Sequence, residues 1–129
     1  MTEDGSLGRK PLVLLVDDEK EFASIMAKRL TKRGYEVITA HSGLEAVRLA
    51  RDHDFEAAVL DVKMEGMDGI ETLKTLRMLL PRLQVIMLTG HGSTDIARQA
   101  MGLGAYDYLT KPCELSDLMA KLQEALRQA

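Results

Sequence analysis

The sequence predicts an α/β fold in which helices cover both faces of a parallel sheet. Three apolar runs, PLVLLV (11–16), AAVL (57–60) and VIML (85–88), are continuous rather than alternating. Continuous runs of this length are typical of parallel strands that are buried on both faces. YEVITA (35–40) and AYDYLT (105–110) are rich in β-branched and aromatic residues and predict two further strands. Segments of helical period follow the strands, so strand and helix alternate five times, which favours a doubly wound sheet.

Each predicted helix has an apolar stripe at helical spacing. Gly34 ends the first helix and Pro81 ends the third, while Ser42 followed by Glu45 predicts a capping box before the second. The five stripes are Phe22, Ile25, Met26 and Leu30; Ala46, Val47 and Ala50; Ile70, Leu73, Leu76 and Leu80; Ile96, Ala97, Ala100 and Met101; and Leu115, Leu118, Met119, Leu122 and Leu126.

Composition is that of an ordinary globular domain. The 129 residues are 46% hydrophobic and 29% charged, and the net charge of -3 gives no general attraction to nucleic acid. No apolar run approaches the roughly 20 residues of a membrane span, and MTEDGSLGRK lacks the apolar core of a signal peptide. The single cysteine, Cys113, excludes an internal disulfide. We expect a cytoplasmic protein with a flexible tail over residues 1–10 and one domain over 11–129.

Polar residues follow four of the five predicted strands. Ligands bind beyond the carboxyl ends of the strands in open parallel sheets, so these residues are candidates for a site. They are Asp17 and Asp18, Asp61, Thr89, and Thr110 with Lys111.

Each residue alone has an ordinary structural explanation. Asp17 or Asp18 caps a helix, Asp61 begins a turn, Thr89 bonds locally, and Lys111 is a solvated loop lysine. Their occurrence together at one edge favours a functional site. Three carboxylates exceed the charge of one lysine, and a divalent cation such as Mg²⁺ balances the remainder with hard oxygen ligands. The combination predicts a phosphoryl-transfer site, with an attacking carboxylate and with a metal ion, a lysine and a hydroxyl that bind the phosphoryl oxygens.

Four motifs carry a resemblance to a known family: VDDE (16–19), LDVKMEGMDG (60–69), LTGHGS (88–93) and GAYDYLTKP (104–112). In this order they resemble the receiver domain of bacterial two-component response regulators, from about Leu12 to Leu126. The last two motifs look most like receivers of nitrogen-regulation-type transcription activators. The resemblance implies a flavodoxin-like sheet of strand order 2-1-3-4-5 with five helices.

The resemblance also implies roles for the site residues. Asp61 is the phosphoacceptor for a kinase's phosphohistidine, and Lys111 binds a phosphoryl oxygen. Asp18, Asp61 and the backbone carbonyl of Lys63 bind Mg²⁺ directly, while Asp17 acts through water. A cis peptide bond is expected between Lys111 and Pro112.

A conformational switch is implied as well. Thr89 closes on the phosphoryl group, the small Gly90 leaves access to it, and the aromatic Tyr108 turns inward as the threonine moves. The face formed by the fourth helix, fifth strand and fifth helix then differs between the two states. Lys63 and His91 stand at positions that set the lifetime of the phosphate.

Two residues depart from the family pattern. Glu65 stands where proline is usual, which frees the turn and adds negative charge near the metal. Cys113 replaces the usual phenylalanine, and we interpret it as a small core residue.

The implied partners are a sensor histidine kinase or phosphotransfer protein, a downstream effector domain or protein, and a second copy in a phosphorylation-dependent homodimer. Direct binding to nucleic acid or membrane is not expected.

The protein is then a switch with autocatalytic phosphotransfer and slow autodephosphorylation rather than a turnover enzyme. Two alternatives are a pseudo-receiver that binds partners without phosphorylation and a Mg²⁺-dependent aspartyl phosphohydrolase. Such hydrolases usually carry an aspartate two residues after the nucleophile, where this chain has Lys63.

Overall fold

A computed structural model describes residues 9–64, 66–90 and 94–128. One five-stranded sheet, in the order β2-β1-β3-β4-β5 with all neighbours parallel, forms the centre of the fold. The strands are β1 (Leu12–Val16), β2 (Glu36–Ala40), β3 (Ala57–Asp61), β4 (Gln84–Thr89) and β5 (Asp107–Thr110). The helices are α1 (Lys20–Lys32), α2 (Gly43–Asp52), α3 (Gly69–Leu79), α4 (Thr94–Gly102) and α5 (Leu115–Arg127). The predicted fold and strand order are confirmed.

Alternate residues of each central strand pack into two separate cores. Leu14 and Val16 of β1 face the layer formed by α2, α3 and α4, whereas Val13 and Leu15 face α1 and α5. All four side chains are fully buried. Burial on both faces removes the need for polar residues at alternate positions, which explains the continuous apolar runs.

Two members of the predicted helical stripes do not reach the core. Ile25 of α1 is 48% exposed and Met101 of α4 is 41% exposed, so these two assignments were wrong. In α1 the core is reached by Ala23, Met26 and Leu30. Their spacing of three and four residues defines a narrow stripe, and Ile25 lies beside it.

The predicted cap of α2 is present. The Oγ of Ser42 accepts a hydrogen bond from the N–H of Glu45 at 3.1 Å. The carboxylate of Glu45 in turn accepts from the N–H of His41 at 2.7 Å, one residue earlier than in a standard capping box. This paired arrangement fixes the chain where β2 leaves the sheet.

Several expectations fall outside the described residues. They concern the first eight residues of the predicted tail, Glu65 and His91. What the sequence predicts for these residues stays a prediction. Arg9, which belongs to the predicted tail, binds the carboxylate of Glu56 through both terminal nitrogens at 2.8 and 2.9 Å. Among the helices described, none has the length and apolar character needed to cross a membrane.

Candidate functional site

The parallel register of the sheet brings three charged side chains to one edge. Val16 pairs with Leu60 across β1 and β3, and Thr89 pairs with Thr110 across β4 and β5. The strands therefore end at the same level, and Asp17, Asp61 and Lys111 emerge next to one another.

Lys111 connects three carboxylates. Its Nζ lies 2.8 Å from Oδ2 of Asp17, 2.7 Å from Oε1 of Glu19 and 3.5 Å from Oδ2 of Asp61. Burial alone lowers the pKa of Lys111, but hydrogen bonds to Asp17 and Glu19 outweigh it and raise the pKa above its ordinary value. The side chain is only 19% exposed. The explanation of Lys111 as a solvated loop lysine was therefore wrong.

Two further contacts hold Lys111 in place. The Nζ lies 4.5 Å from the ring centroid of Phe22 on α1, within cation–π distance. Its backbone N–H donates to the carbonyl of Thr89 at 2.7 Å. Its peptide bond to Pro112 is cis, as the resemblance implied.

Asp17 is fully buried and is held at both carboxylate oxygens. Oδ1 accepts from the N–H of Glu19 at 2.9 Å, and Oδ2 accepts from Lys111. The N-cap of α1 is Glu19, whose side chain makes no capping bond. The helix-cap explanation of Asp17 and Asp18 was therefore wrong. Asp18, unlike Asp17, is exposed.

Asp61 is a buried carboxylate with incomplete charge compensation. It is 6% exposed, and its Oδ1 accepts a hydrogen bond from the N–H of Lys63 at 3.1 Å while its Oδ2 accepts a long one from Nζ of Lys111 at 3.5 Å. Burial, and next the charge of Asp17, raise the pKa of Asp61 to about 6, while Lys111 and the Lys63 N–H oppose the rise. Such a carboxylate is ionised near neutral pH and gains from any additional positive charge.

The site fits a divalent cation. Carboxylate oxygens of Asp17, Glu19 and Asp61 lie within 4.8 Å of one another. Two of these acids are buried beside a single ammonium group, so negative charge is in excess, and every donor is a hard oxygen. A cleft of about 260 Å³ opens beside them, lined by Asp18, Glu19, Asp61, Lys63, Gly90 and Lys111.

Glu19 is a member of the site for which the sequence motifs predicted no role. Its carboxylate lies with those of Asp17 and Asp61 and binds Lys111. The hydrogen bond from Lys111, and next the charge of Lys111, lower the pKa of the Glu19 carboxyl. Its place directly after Asp17 and Asp18 in VDDE was the available signal.

The predicted switch residues Thr89 and Tyr108 lie on the neighbouring strands β4 and β5 in different environments. Thr89 is 3% exposed, and its hydroxyl donates a long 3.4 Å bond to the carbonyl of Leu109. Tyr108 of β5 is 40% exposed. A Cβ added to Gly90 would meet no atom of the described residues within 4 Å.

Cys113 is half-buried against the core layer of α1 and α5. Burial first, and then the charge of Asp117, raise the pKa of its thiol. Both features agree with a small packing residue rather than a reactive thiolate.

The chain belongs to the response regulator receiver domain family, whose model matches residues 13–123. It is 38% identical over 119 residues to the transcriptional regulatory protein ZraR of Klebsiella oxytoca. The match covers 92% of this chain and 27% of ZraR, so the chain spans about a quarter of that relative.

Solved structures give the same assignment. The receiver domain of NtrX from Brucella abortus superposes with a TM-score of 0.86 at 31% identity, over 91% of this chain and 99% of that one. A response regulator from Burkholderia pseudomallei superposes with a TM-score of 0.84 at 34% identity, over 92% of this chain and 70% of that one. That protein was crystallised with a phosphorylated aspartic acid, a calcium ion and citrate.

Proposed function

We propose that this receiver domain takes a phosphoryl group onto Asp61 from the phosphohistidine of a sensor kinase or phosphotransfer protein, in a Mg²⁺-dependent reaction. The observation that carries the proposal is the environment of Asp61. It is a buried carboxylate in excess negative charge, 3.5 Å from an ammonium group, at a cleft large enough for a phosphoryl group. The phosphorylated aspartic acid of the Burkholderia pseudomallei relative supports the same chemistry here.

The transfer is a displacement at phosphorus. One Oδ of Asp61 forms the new bond to phosphorus as the phosphorus–nitrogen bond of the donor breaks. The departing imidazole nitrogen keeps that electron pair and takes a proton from solvent. Above pH about 6, Asp61 is mainly ionised and able to attack. Lys111, already in contact with Asp61, binds an oxygen of the incoming group and offsets its charge.

Mg²⁺, when bound, neutralises negative charge on the acids and on the transferring group. We propose Asp18, Asp61 and the backbone carbonyl of Lys63 as its direct ligands, with Asp17 acting through water. Glu19 joins this set as a candidate, because its carboxylate lies with those of Asp17 and Asp61.

Phosphorylation then biases the switch residues. The acyl phosphate presents strong acceptor oxygens, and the 3.4 Å bond from Thr89 to Leu109 is long, so the hydroxyl can leave it to reach them. Tyr108, half exposed on β5, fills the space that the threonine leaves. We propose that α4, β5 and α5 carry this change to an effector domain or protein, or to a second copy. Lys63 and His91 are proposed to set the lifetime of the phosphate.

The proposed compartment is the cytoplasm, as for response regulators in general. The chain is proposed to act as a switch with slow autodephosphorylation, over a domain of residues 11–129 preceded by a tail.

The test is incubation with Mg²⁺ and acetyl phosphate, followed by the mass of the intact protein. We expect a gain of one phosphoryl group that requires Mg²⁺ and disappears in Asp61→Asn. No gain from any small donor or kinase would overturn the proposal in favour of a pseudo-receiver. Sustained hydrolysis of phosphomonoesters would overturn it in favour of a phosphohydrolase.

A further inference from the structure

The ring of His41 contacts the backbone of Asp17 at the edge of the site. Its Nδ1 lies 3.1 Å from the carbonyl oxygen of Asp17. A carbonyl oxygen accepts hydrogen bonds and cannot donate one, so Nδ1 carries the hydrogen in this contact. On the other side of the same residue, the N–H of Asp17 donates to the carbonyl of Ala40 at 3.0 Å. The end of β2 therefore holds both peptide groups of Asp17.

His41 is itself held in place. Its N–H donates to the carboxylate of Glu45 at 2.7 Å, and the N–H of Glu45 donates to Oγ of Ser42 at 3.1 Å. These bonds belong to the N-terminal cap of α2, and the His41 residue is partly buried. These bonds fix the backbone of His41 and so restrict the positions that its imidazole ring can take relative to the carbonyl of Asp17.

We propose that His41 is a positioning residue for the metal-binding carboxylates. Its bond fixes the peptide group that joins Asp17 to Asp18 and so aims both side chains. The carboxylate of Asp17 reaches Lys111 and the Glu19 N–H, and Asp18 lines the cleft beside Asp61. This inference deepens the proposed function, because it concerns the same metal site.

The expected effect is on metal affinity rather than on chemistry. Hydrogen bonds that orient metal ligands typically change metal affinity about 10- to 100-fold when they are removed. His41 bonds to the backbone carbonyl of Asp17 and not to a carboxylate that binds the metal, so its effect on the metal should be smaller. We therefore expect His41→Leu to weaken Mg²⁺ binding about threefold to tenfold. The rate of phosphorylation by acetyl phosphate at saturating Mg²⁺ should stay unchanged.

Two matched variants separate positioning from general stability. His41→Asn keeps a short side chain with an amide donor, and it should restore most of the Mg²⁺ affinity. His53→Leu is the control, because Nδ1 of His53 makes the same kind of contact, 3.0 Å from the carbonyl of Leu49, at the opposite end of α2. Mg²⁺ affinity is measured by calorimetric titration of each metal-free protein.

A second measurement needs neither metal nor phosphate. Nitrogen-15 NMR of the metal-free wild type should show the His41 ring with Nδ1 protonated. Wild-type Mg²⁺ affinity in His41→Leu, equal losses in His41→Leu and His41→Asn, or an unprotonated Nδ1 would each overturn the inference. If His41→Leu does not fold, the inference is tested by the Mg²⁺ affinity of His41→Asn and by the nitrogen-15 signal of the wild-type His41 ring. A wild type that binds Mg²⁺ but takes no phosphoryl group would instead overturn the proposed function and leave the role of His41 intact.

Discussion

The ammonium group of Lys111 lies 3.5 Å from the carboxylate of Asp61, and its shorter contacts are to other acids. Asp17 and Glu19 hold it at 2.8 and 2.7 Å. Lys111 is therefore close to the proposed phosphoacceptor without being its full counter-ion. The uncompensated negative charge on Asp61 favours binding of a metal ion and attack on a phosphoryl donor. In the metal-free protein the same charge affects the free energy of unfolding and its pH dependence.

Asp61→Asn is expected to stabilise the metal-free protein at neutral pH. Burial and the charge of Asp17 raise the pKa of Asp61 from 3.8 to about 6, so the folded state disfavours the ionised form. Removing that charge should raise the free energy of unfolding by about 1–2 kcal/mol at pH 7.5. The measurement is urea denaturation in the presence of a chelator.

The same substitution has a defined pH dependence. The pKa of Asp61 is higher in the folded than in the unfolded chain, so protonation stabilises the fold. That stabilisation is complete below pH about 4 and is lost as pH rises through about 6. The advantage of Asp61→Asn over the wild type should therefore be largest above pH about 6.5 and vanish near pH 4. An advantage that grows toward acidic pH would contradict this account.

Glu19→Gln is expected to weaken Mg²⁺ binding while leaving the phosphoacceptor intact. Glu19 supplies one of three carboxylates that lie within 4.8 Å of one another. Loss of one negative charge should raise the Mg²⁺ dissociation constant about threefold. Glu21→Gln, two residues further along α1, is the matched control and should behave like the wild type. Equal Mg²⁺ titrations for both variants would remove Glu19 from the site.

Gly69→Ala is expected to damage the loop that follows Asp61. A Cβ at this position would lie 2.6 Å from Cα of Val62 and 2.7 Å from the carbonyl oxygen of Asp61, both backbone atoms that cannot yield cheaply. Overpacking of this kind costs about 1–3 kcal/mol and should displace Asp61.

Gly102→Ala on α4 is the control for that substitution. Its added Cβ would meet no atom of the described part of the chain within 4 Å, so stability should change by less than about 0.5 kcal/mol. Thermal unfolding and phosphorylation by acetyl phosphate are measured for both variants. A Gly69→Ala protein as stable and as readily phosphorylated as the wild type would show that the loop relaxes freely.

Thr89→Val is expected to separate phosphorylation from the switch. Among the residues that the structure describes, the hydroxyl of Thr89 bonds to the carbonyl of Leu109 at 3.4 Å, so its loss should cost less than about 1 kcal/mol. Asp61 should still accept a phosphoryl group, but the ring signals of Tyr108 should no longer shift on phosphorylation. The check is an NMR comparison of both proteins with and without acetyl phosphate. A wild-type shift in the valine variant would exclude Thr89 from the switch.

The fold class and the convergence of Asp17, Asp61 and Lys111 could be predicted because each leaves a pattern along the chain, although the three residues are far apart in sequence. Burial on two faces leaves continuous apolar runs, and a parallel sheet collects the residues at its strand ends. The contacts of Lys111 with Glu19 and Phe22 were not predicted, because they depend on the path of the Lys111 side chain toward α1, although the position of Glu19 in VDDE indicated one more acid near Asp17. Nothing in the spacing of α1 encodes that path.

The same limit explains the misplaced helix residues. The spacing of apolar residues in α1 places Ile25 on the buried face, but the small Ala23 faces the core and Ile25 is 48% exposed. Periodicity identifies a helix and its approximate face. The rotation of that face is set by packing against α5 and the sheet.

The most direct test of the central claim is chemical trapping of the phosphorylated residue. The protein is treated with Mg²⁺ and acetyl phosphate, reduced with borohydride, digested and sequenced by mass spectrometry. Borohydride converts an aspartyl phosphate to homoserine. We predict homoserine at position 61 and nowhere else, and none when Mg²⁺ is omitted. Homoserine at another aspartate, or an unmodified residue 61 in phosphorylated protein, would contradict the account.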